Sequence, residues 1–138
     1  MQKTFTVETR GAGLVEITRP VATWVADAGR REGLLTLFLR HTSCSLLIQE
    51  NADPSARADL EAFLRRLIPP ADAPAQAWMT HRAEGPDDMP AHLKAALLPV
   101  SLGIPVAGGA LALGTWQGVY LWEHRDRPHR RSVIAHLA

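Results

Sequence analysis

The sequence predicts an α+β domain of mostly antiparallel β-sheet, packed as a sandwich or barrel with two to three helices outside it. Three observations carry this expectation. Strand and helix patterns alternate as β-β-α-β-β-α-loop-α-β-β-β, so most strands have a sequence neighbour to pair with antiparallel. The chain has 138 residues, the size of one domain with one core. No internal repeat and no long linker divides it, so residues 1–138 are read as a single domain.

Gln2 to Thr9 alternates, with Phe5 and Val7 on one face and Thr4, Thr6 and Glu8 on the other, the pattern of a half-buried strand. Gly11-Ala12-Gly13 supplies a turn, and Leu14, Val15 and Ile17 a second strand, so a hairpin is expected. Thr18 is placed to cap a helix with Pro20 in its first turn. Val21, Trp24, Val25 and Ala28 recur at helical spacing, and Gly29 or Gly33 ends the run. Gly33 to Arg40 is apolar on both faces and reads as a central strand, and Ser45 to Gln49 as the next. Asp53 and Pro54 open a helix, and the stripe Leu60, Phe63, Leu64, Leu67 carries it to Ile68, before Pro69-Pro70.

Ala71 to Ala77 is read as a surface connection, and Pro90 to Leu98 as a short helix. Leu102 to Val106 is irregular or a short strand, Gly108-Gly109 a turn, and Ala110 to Leu113 a strand. Gly114 to Gly118 forms a tight turn before the strand Val119 to Glu123. Arg131 to Leu137 is the last strand, with Val133, Ala135 and Leu137 alternating against Ser132, Ile134 and His136. Strands apolar on both faces, Leu34 to Leu39 and Val119 to Trp122, predict an oligomer that covers one face.

Composition excludes several classes. With 46% hydrophobic and 21% charged residues the chain is globular, not disordered. A net charge of +1 gives no electrostatic case for a nucleic-acid partner or an anionic membrane. The basic stretch Arg125, Arg127, Arg130 and Arg131 reads as a solvated edge or tail. A single cysteine, Cys44, rules out an intrachain disulfide and fits a reducing compartment. The N-terminus lacks a signal-peptide core, and no apolar run approaches the roughly 20 residues that span a bilayer. A cytoplasmic protein without a membrane partner is expected.

The chemistry concentrates between Met79 and His92, a loop stiffened by Pro86 and Pro90 that carries His81, Glu84, Asp87, Asp88 and His92. Imidazole and carboxylate are the ligands of a borderline divalent metal such as zinc, and also the general acids and bases of neutral pH. Three further patches could converge on it. His41-Thr42-Ser43 ends a buried strand; no Gly-x-Ser-x-Gly elbow activates Ser43, and Cys44 reads as a small apolar residue. Glu50-Asn51-Ala52-Asp53-Pro54 combines a helix cap with two polar residues that structure explains less well, at a helix start whose NH groups suit a phosphate. Gly114-Thr115-Trp116-Gln117-Gly118 offers an aromatic face flanked by glycines, with Glu123 beyond it.

Together, His-Thr-Ser at 41–43, Glu-Asn-Ala-Asp-Pro at 50–54, His-x-x-Glu-Gly-x-x-x-Met-Pro-Ala-His at 81–92 and Gly-Thr-Trp-Gln-Gly at 114–118 resemble the YjbQ family, described as secondary thiamine-phosphate synthases. The resemblance implies a homotrimer of a small α+β fold, with a pocket near a subunit boundary. It implies a transferase of thiamine biosynthesis that joins a pyrimidine pyrophosphate to a thiazole phosphate. In this reading His41, His81, Glu84 and His92 are catalytic, and Thr42, Ser43, Asn51, Asp88, Thr115, Trp116 and Gln117 bind a small phosphorylated substrate. His41, His81 and His92 hold a divalent metal, zinc or magnesium, or serve as acid-base groups. The alternatives are a trimer that binds a small ligand or metal without turnover, and a metal-dependent hydrolase of a small ester or phosphate.

Overall fold

The structure, a computed structural model of residues 1–138, is an α+β fold with two antiparallel sheets and three helices. One sheet has five strands: β1 (Gln2–Glu8), β8 (Arg130–Leu137), β3 (Glu32–Leu39), β5 (Ser101–Ala107) and β6 (Ala110–Leu111), in that order. The other has three: β2 (Gly13–Glu16), β7 (Gln117–Glu123) and β4 (Cys44–Glu50). The helices are α1 (Thr18–Asp27), α2 (Pro54–Leu67) and α3 (Asp88–Leu97), and a short 3-10 turn spans Pro74–Gln76.

The main core lies between the sheets. Leu35, Leu37 and Leu39 of β3 and Val133, Ala135 and Leu137 of β8 meet Leu46 of β4, Val119 and Leu121 of β7, and Val21 and Val25 of α1. The period-2 alternation of strand side chains produces this. On β7 the other parity, Tyr120 and Trp122, turns to the opposite face and packs with Leu14 and Leu64. The three-stranded sheet is therefore apolar on both faces, as its sequence requires. Burying an aliphatic side chain at these positions is worth about 1.5–3 kcal/mol.

Three expectations are corrected. The first two strands form no hairpin: β1 pairs with β8, and β2 with β7 in the other sheet. The chain crosses between sheets at Gly11 and Gly13, with φ of 135° and 146°, a region that favours glycine. A Cβ on Gly11 would lie 2.8 Å from the Asp126 carbonyl oxygen. Thr18 is not a cap. Its hydroxyl donates to Glu16 at 2.9 Å and accepts the Val119 N–H at 2.8 Å, tying α1 to β7. The stripe of α2 is only partly covered: Leu64 is buried, but Phe63 and Leu67 are exposed.

Other elements follow local rules. Asp53 caps α2 by accepting the Ser55 N–H at 2.9 Å. The α3 helix starts at Asp88, two residues before the expected Pro90, so Asp88 becomes a first-turn residue. The edge of β2 is closed by α2: the Leu14 N–H donates to Glu61 at 3.0 Å, and Arg57 donates to the Leu14 carbonyl. The loop before the site has little core of its own. Arg82 holds it, donating to the carbonyls of Met79, Ala71 and Gln76 at 2.7, 3.0 and 2.9 Å.

Candidate metal centre

Two of the sequence-predicted residues reach the centre from one helix. Asp88 and His92 are four apart on α3, so they share a face one turn apart. His81 arrives from the Arg82-pinned loop. One ligand atom from each of His81, Asp88 and His92 lies within 4.8 Å of the others, a group that could hold a metal ion. Asp88 Oδ2 is 2.7 Å from His81 Nε2 and 3.3 Å from His92 Nε2. Asp88 is 2% exposed and the His81 side chain 50%, so the carboxylate forms the floor and one imidazole the open rim.

The partners behind these side chains define the chemistry. The Thr42 carbonyl accepts a hydrogen bond from His92 Nδ1 at 3.0 Å, which leaves Nε2 of a neutral ring as a bare lone pair. That lone pair faces a carboxylate oxygen. Two acceptors cannot share such a contact without a positive centre between them, either a proton or a metal cation. Burial pushes the Asp88 carboxyl up, but the His81 hydrogen bond and the charges of His92 and Arg125 outweigh it and hold it below the usual range. The carboxylate is ready to accept a cation.

Arg125 sits behind the centre. Its Nη1 donates to Asp88 Oδ1 at 2.7 Å, its Nε to Asp87 Oδ2 at 2.9 Å, and its Nη2 to the Glu84 carbonyl at 3.1 Å. Glu84 itself is exposed; its backbone carbonyl joins this network, and its side chain also helps to lower the Asp88 pKa by a hydrogen bond.

Of the three histidines expected to hold a metal, His81 and His92 come together, with Asp88, in the group that could hold an ion, and His41 is not part of that group. His41 Nε2 accepts the Ser132 N–H at 2.9 Å, so that nitrogen is committed to the backbone of β8. Burial and the Arg131 charge pull the His41 pKa down, which keeps the ring neutral. Ser43 is buried and accepts from Arg131 Nη2 at 2.9 Å. Thr42 contributes its carbonyl to His92, as above. Cys44 is fully buried, and burial pushes its thiol up to about 11, so it is no nucleophile.

Asn51, Thr115, Trp116 and Gln117 form a second, separate patch. The Asn51 N–H donates to the Trp116 carbonyl at 3.0 Å, and the Asn51 amide to Glu16 at 3.2 Å. Gln117 Oε1 closes the bend by accepting the Gly114 N–H at 2.8 Å, and Trp116 and Thr115 are exposed. This patch stands at one end of the three-stranded sheet, where Glu50 pairs with Gln117; the His81, Asp88 and His92 group stands at the other, where Cys44 pairs with Glu123. Seven β-strand residues separate them, about 20 Å at the usual rise. Within one chain the bend does not line the centre.

Two arginines do more than a solvated edge would. Besides Arg125, Arg131 is buried against Glu123, which also accepts from Thr9 Oγ1 at 2.7 Å. This pair bridges the two sheets. The alternation of β8 contained the signal, because Arg131 is in phase with Val133, Ala135 and Leu137. No sequence pattern marked Arg125.

Comparison with known proteins places this architecture. A family profile described as UPF0047 protein YjbQ-like matches residues 3–138. A Synechocystis protein, UPF0047 protein sll1880, is 46% identical, with 99% of this chain and 90% of that one covered. UPF0047 protein YjbQ of Escherichia coli O157:H7 is 42% identical over 99% of this chain and 96% of its own length. The crystal structure of hypothetical protein APE1520 from Aeropyrum pernix superposes with a TM-score of 0.87 at 31% identity, covering 100% of this chain and 98% of that one. Conserved hypothetical protein TT1486 from Thermus thermophilus gives 0.83 at 37%, with 99% of each chain covered. By sequence over nearly its whole length and by fold, this chain belongs to the YjbQ-like UPF0047 family.

Proposed function

We propose that the chain is a metal-dependent enzyme acting on a small phosphorylated molecule, with one divalent cation held by His81, Asp88 and His92. The observation that carries the reading is the placement of His92 Nε2, oriented by the Nδ1 hydrogen bond to the Thr42 carbonyl so that it faces Asp88 Oδ2 at 3.3 Å. Two imidazoles and one carboxylate suit zinc or a similar borderline metal better than magnesium, which prefers oxygen ligands alone. When bound, the cation supplies Lewis acidity and neutralises charge on phosphate oxygens. Asp88 and His92 bind from the rigid helix. His81, half exposed, completes the set from the rim of the site, where a substrate would approach.

At the finer level, the reaction we assign is the transfer implied by the family resemblance: the thiazole nitrogen displaces pyrophosphate from the pyrimidine methylene carbon. A C–N bond forms, a C–O bond breaks, and pyrophosphate leaves. The exposed face of Trp116 suits a flat heteroaromatic ring, but stands at the far end of the sheet. We therefore propose a homotrimer in which the bend of one subunit approaches the metal centre of another. Supporting this, the outer face of the five-stranded sheet carries Leu34 and Phe38, about half exposed, with Thr36, Gly103, Pro105 and Ile134 beside them and no charge among the six.

The test combines elemental analysis with a product assay on the two phosphorylated precursors, with and without zinc. One metal per chain and metal-dependent thiamine phosphate are expected, both lost in His92→Ala. Saturable precursor binding with no product would replace the enzyme by a binding protein. Release of product from a generic ester panel alone would replace the transferase by a hydrolase.

A further inference from the structure

We infer that Arg125 is a positioning residue that allows Asp88 to present one oxygen only, and so keeps a coordination position open for substrate. The inference rests on the metal reading above and concerns how the centre is tuned. A carboxylate has two oxygens and can bind a cation through one or both. Here the two are assigned different tasks. Asp88 Oδ1 takes Arg125 Nη1 at 2.7 Å, while Oδ2 alone faces His81 and His92. Swinging Oδ1 round to a cation on the Oδ2 side would pull it out of line with the Arg125 donor and strain a charge-assisted hydrogen bond at a residue 2% exposed.

The guanidinium cannot easily follow such a turn, because it is fixed from two other directions. Asp87 Oδ2 accepts from its Nε at 2.9 Å, and the Glu84 carbonyl from Nη2 at 3.1 Å. Asp87 is itself held by the Asp126 N–H at 2.9 Å. The pinning thus runs from the β7–β8 connection through Arg125 to the first turn of α3. A planar fork with several donors does this; a lysine, with one ammonium, could hold Asp88 but not the other two partners.

The consequence is coordination number. Three single-atom protein ligands leave a fourth position for water or substrate, the mark of a catalytic site over a closed structural one. A two-oxygen Asp88 would fill that space. Arg125 also draws electron density from the carboxylate, which leaves the cation a stronger Lewis acid.

Cobalt(II) replaces zinc readily and reports its ligand number through visible absorption, which is strong for four ligands and weak for five or six. Cobalt is titrated into the full-length wild type and into Arg125→Ala, Arg125→Met and Arg125→Lys. The wild type is expected to give the strong band. The Ala and Met variants should bind cobalt with a band about twofold or more weaker, as the second oxygen enters. Lys, which reaches Oδ1 but lacks the anchors on Asp87 and the Glu84 carbonyl, should give a band between the wild-type and Ala strengths. An unchanged spectrum in a folded Ala or Met variant overturns the inference. So does a Lys variant that behaves like Ala, which would assign the effect to the loop. If neither Ala nor Met folds, Arg125 is a structural pin and the inference also falls. A wild type that takes up no cobalt sinks the metal reading itself, a result distinct from all of these.

Discussion

Replacing Asp88 with Asn separates the two tasks of this carboxylate. The amide oxygen can still accept from Arg125 Nη1, now at 2.7 Å from Oδ1. The opposite orientation would set an NH2 against the guanidinium, donor against donor, so Arg125 dictates which way the amide points. The Nδ2 group then occupies the place of Oδ2, where His81 and His92 Nε2 stand 2.7 and 3.3 Å away. It can donate to one of those lone pairs, but it offers none to a cation. The metal-free protein therefore exchanges charge-assisted bonds for neutral ones, a loss of about 1–2 kcal/mol. Metal binding suffers far more. Removing a partner behind a ligand costs 10–100-fold in affinity, so removing the ligand should cost about 100-fold or more, near 3 kcal/mol. Urea melts with and without zinc read both effects. At zinc a hundred times the wild-type Kd, the wild type should gain about 2.7 kcal/mol and Asp88→Asn about 0.4 or less. If the variant gains as much as the wild type, Asp88 is not a ligand and the centre is misassigned.

Two further outcomes follow from groups outside the centre. His124 is buried, with Nε2 on Ser45 Oγ at 2.8 Å and Nδ1 without a partner; burial, then the charge of Lys94, pulls its pKa down to about 3. The folded ring stays neutral while the unfolded chain binds a proton below its ordinary 6.5, so this residue's share of stability is intact above pH 6.5 and falls as pH drops toward 3. At pH 5 the loss should be about 2 kcal/mol. Urea melts from pH 7.5 to 5 should show the difference between wild type and His124→Gln shrinking by that amount, and a constant difference would contradict the assignment. A Cβ on Gly118 would lie 2.7 Å from Glu16 Oε1 and 2.9 Å from Asn51 Cβ. Gly118→Ala should cost about 1–3 kcal/mol of overpacking while zinc affinity stays at the wild-type value, because Gly118 offers the cation no ligand and touches none of His81, Asp88 and His92. Thermal melts beside a zinc titration measure both.

What could be read from the chain follows from short-range periodicity. The strand alternation of Val133, Ala135 and Leu137, the cap and proline at Asp53-Pro54, and the density of His and carboxylate between His81 and His92 all lie within a few residues. Local backbone geometry decides such features, so sequence alone placed the strands, the helices and the loop that holds the centre. Sheet partners are another matter. Nothing within a few residues of Gly11 and Gly13 says that β1 joins β8 while β2 joins β7.

Composition showed that histidines and carboxylates were at hand, but not which would meet. His41 has the chemistry of a ligand, yet the register of β8 delivers the Ser132 N–H to its Nε2. Asp88 joins the candidate centre because α3 begins two residues early and sets it one turn from His92. Arg125 reaches Asp88 across 37 residues of chain, and Arg131 joins Ser43 across 88. The chain by itself determined the elements and the stock of reactive groups, since those depend on neighbours along the backbone. Only the tertiary structure decided which nitrogen keeps its lone pair free, because that depends on hydrogen-bond partners supplied by strands and loops remote in sequence.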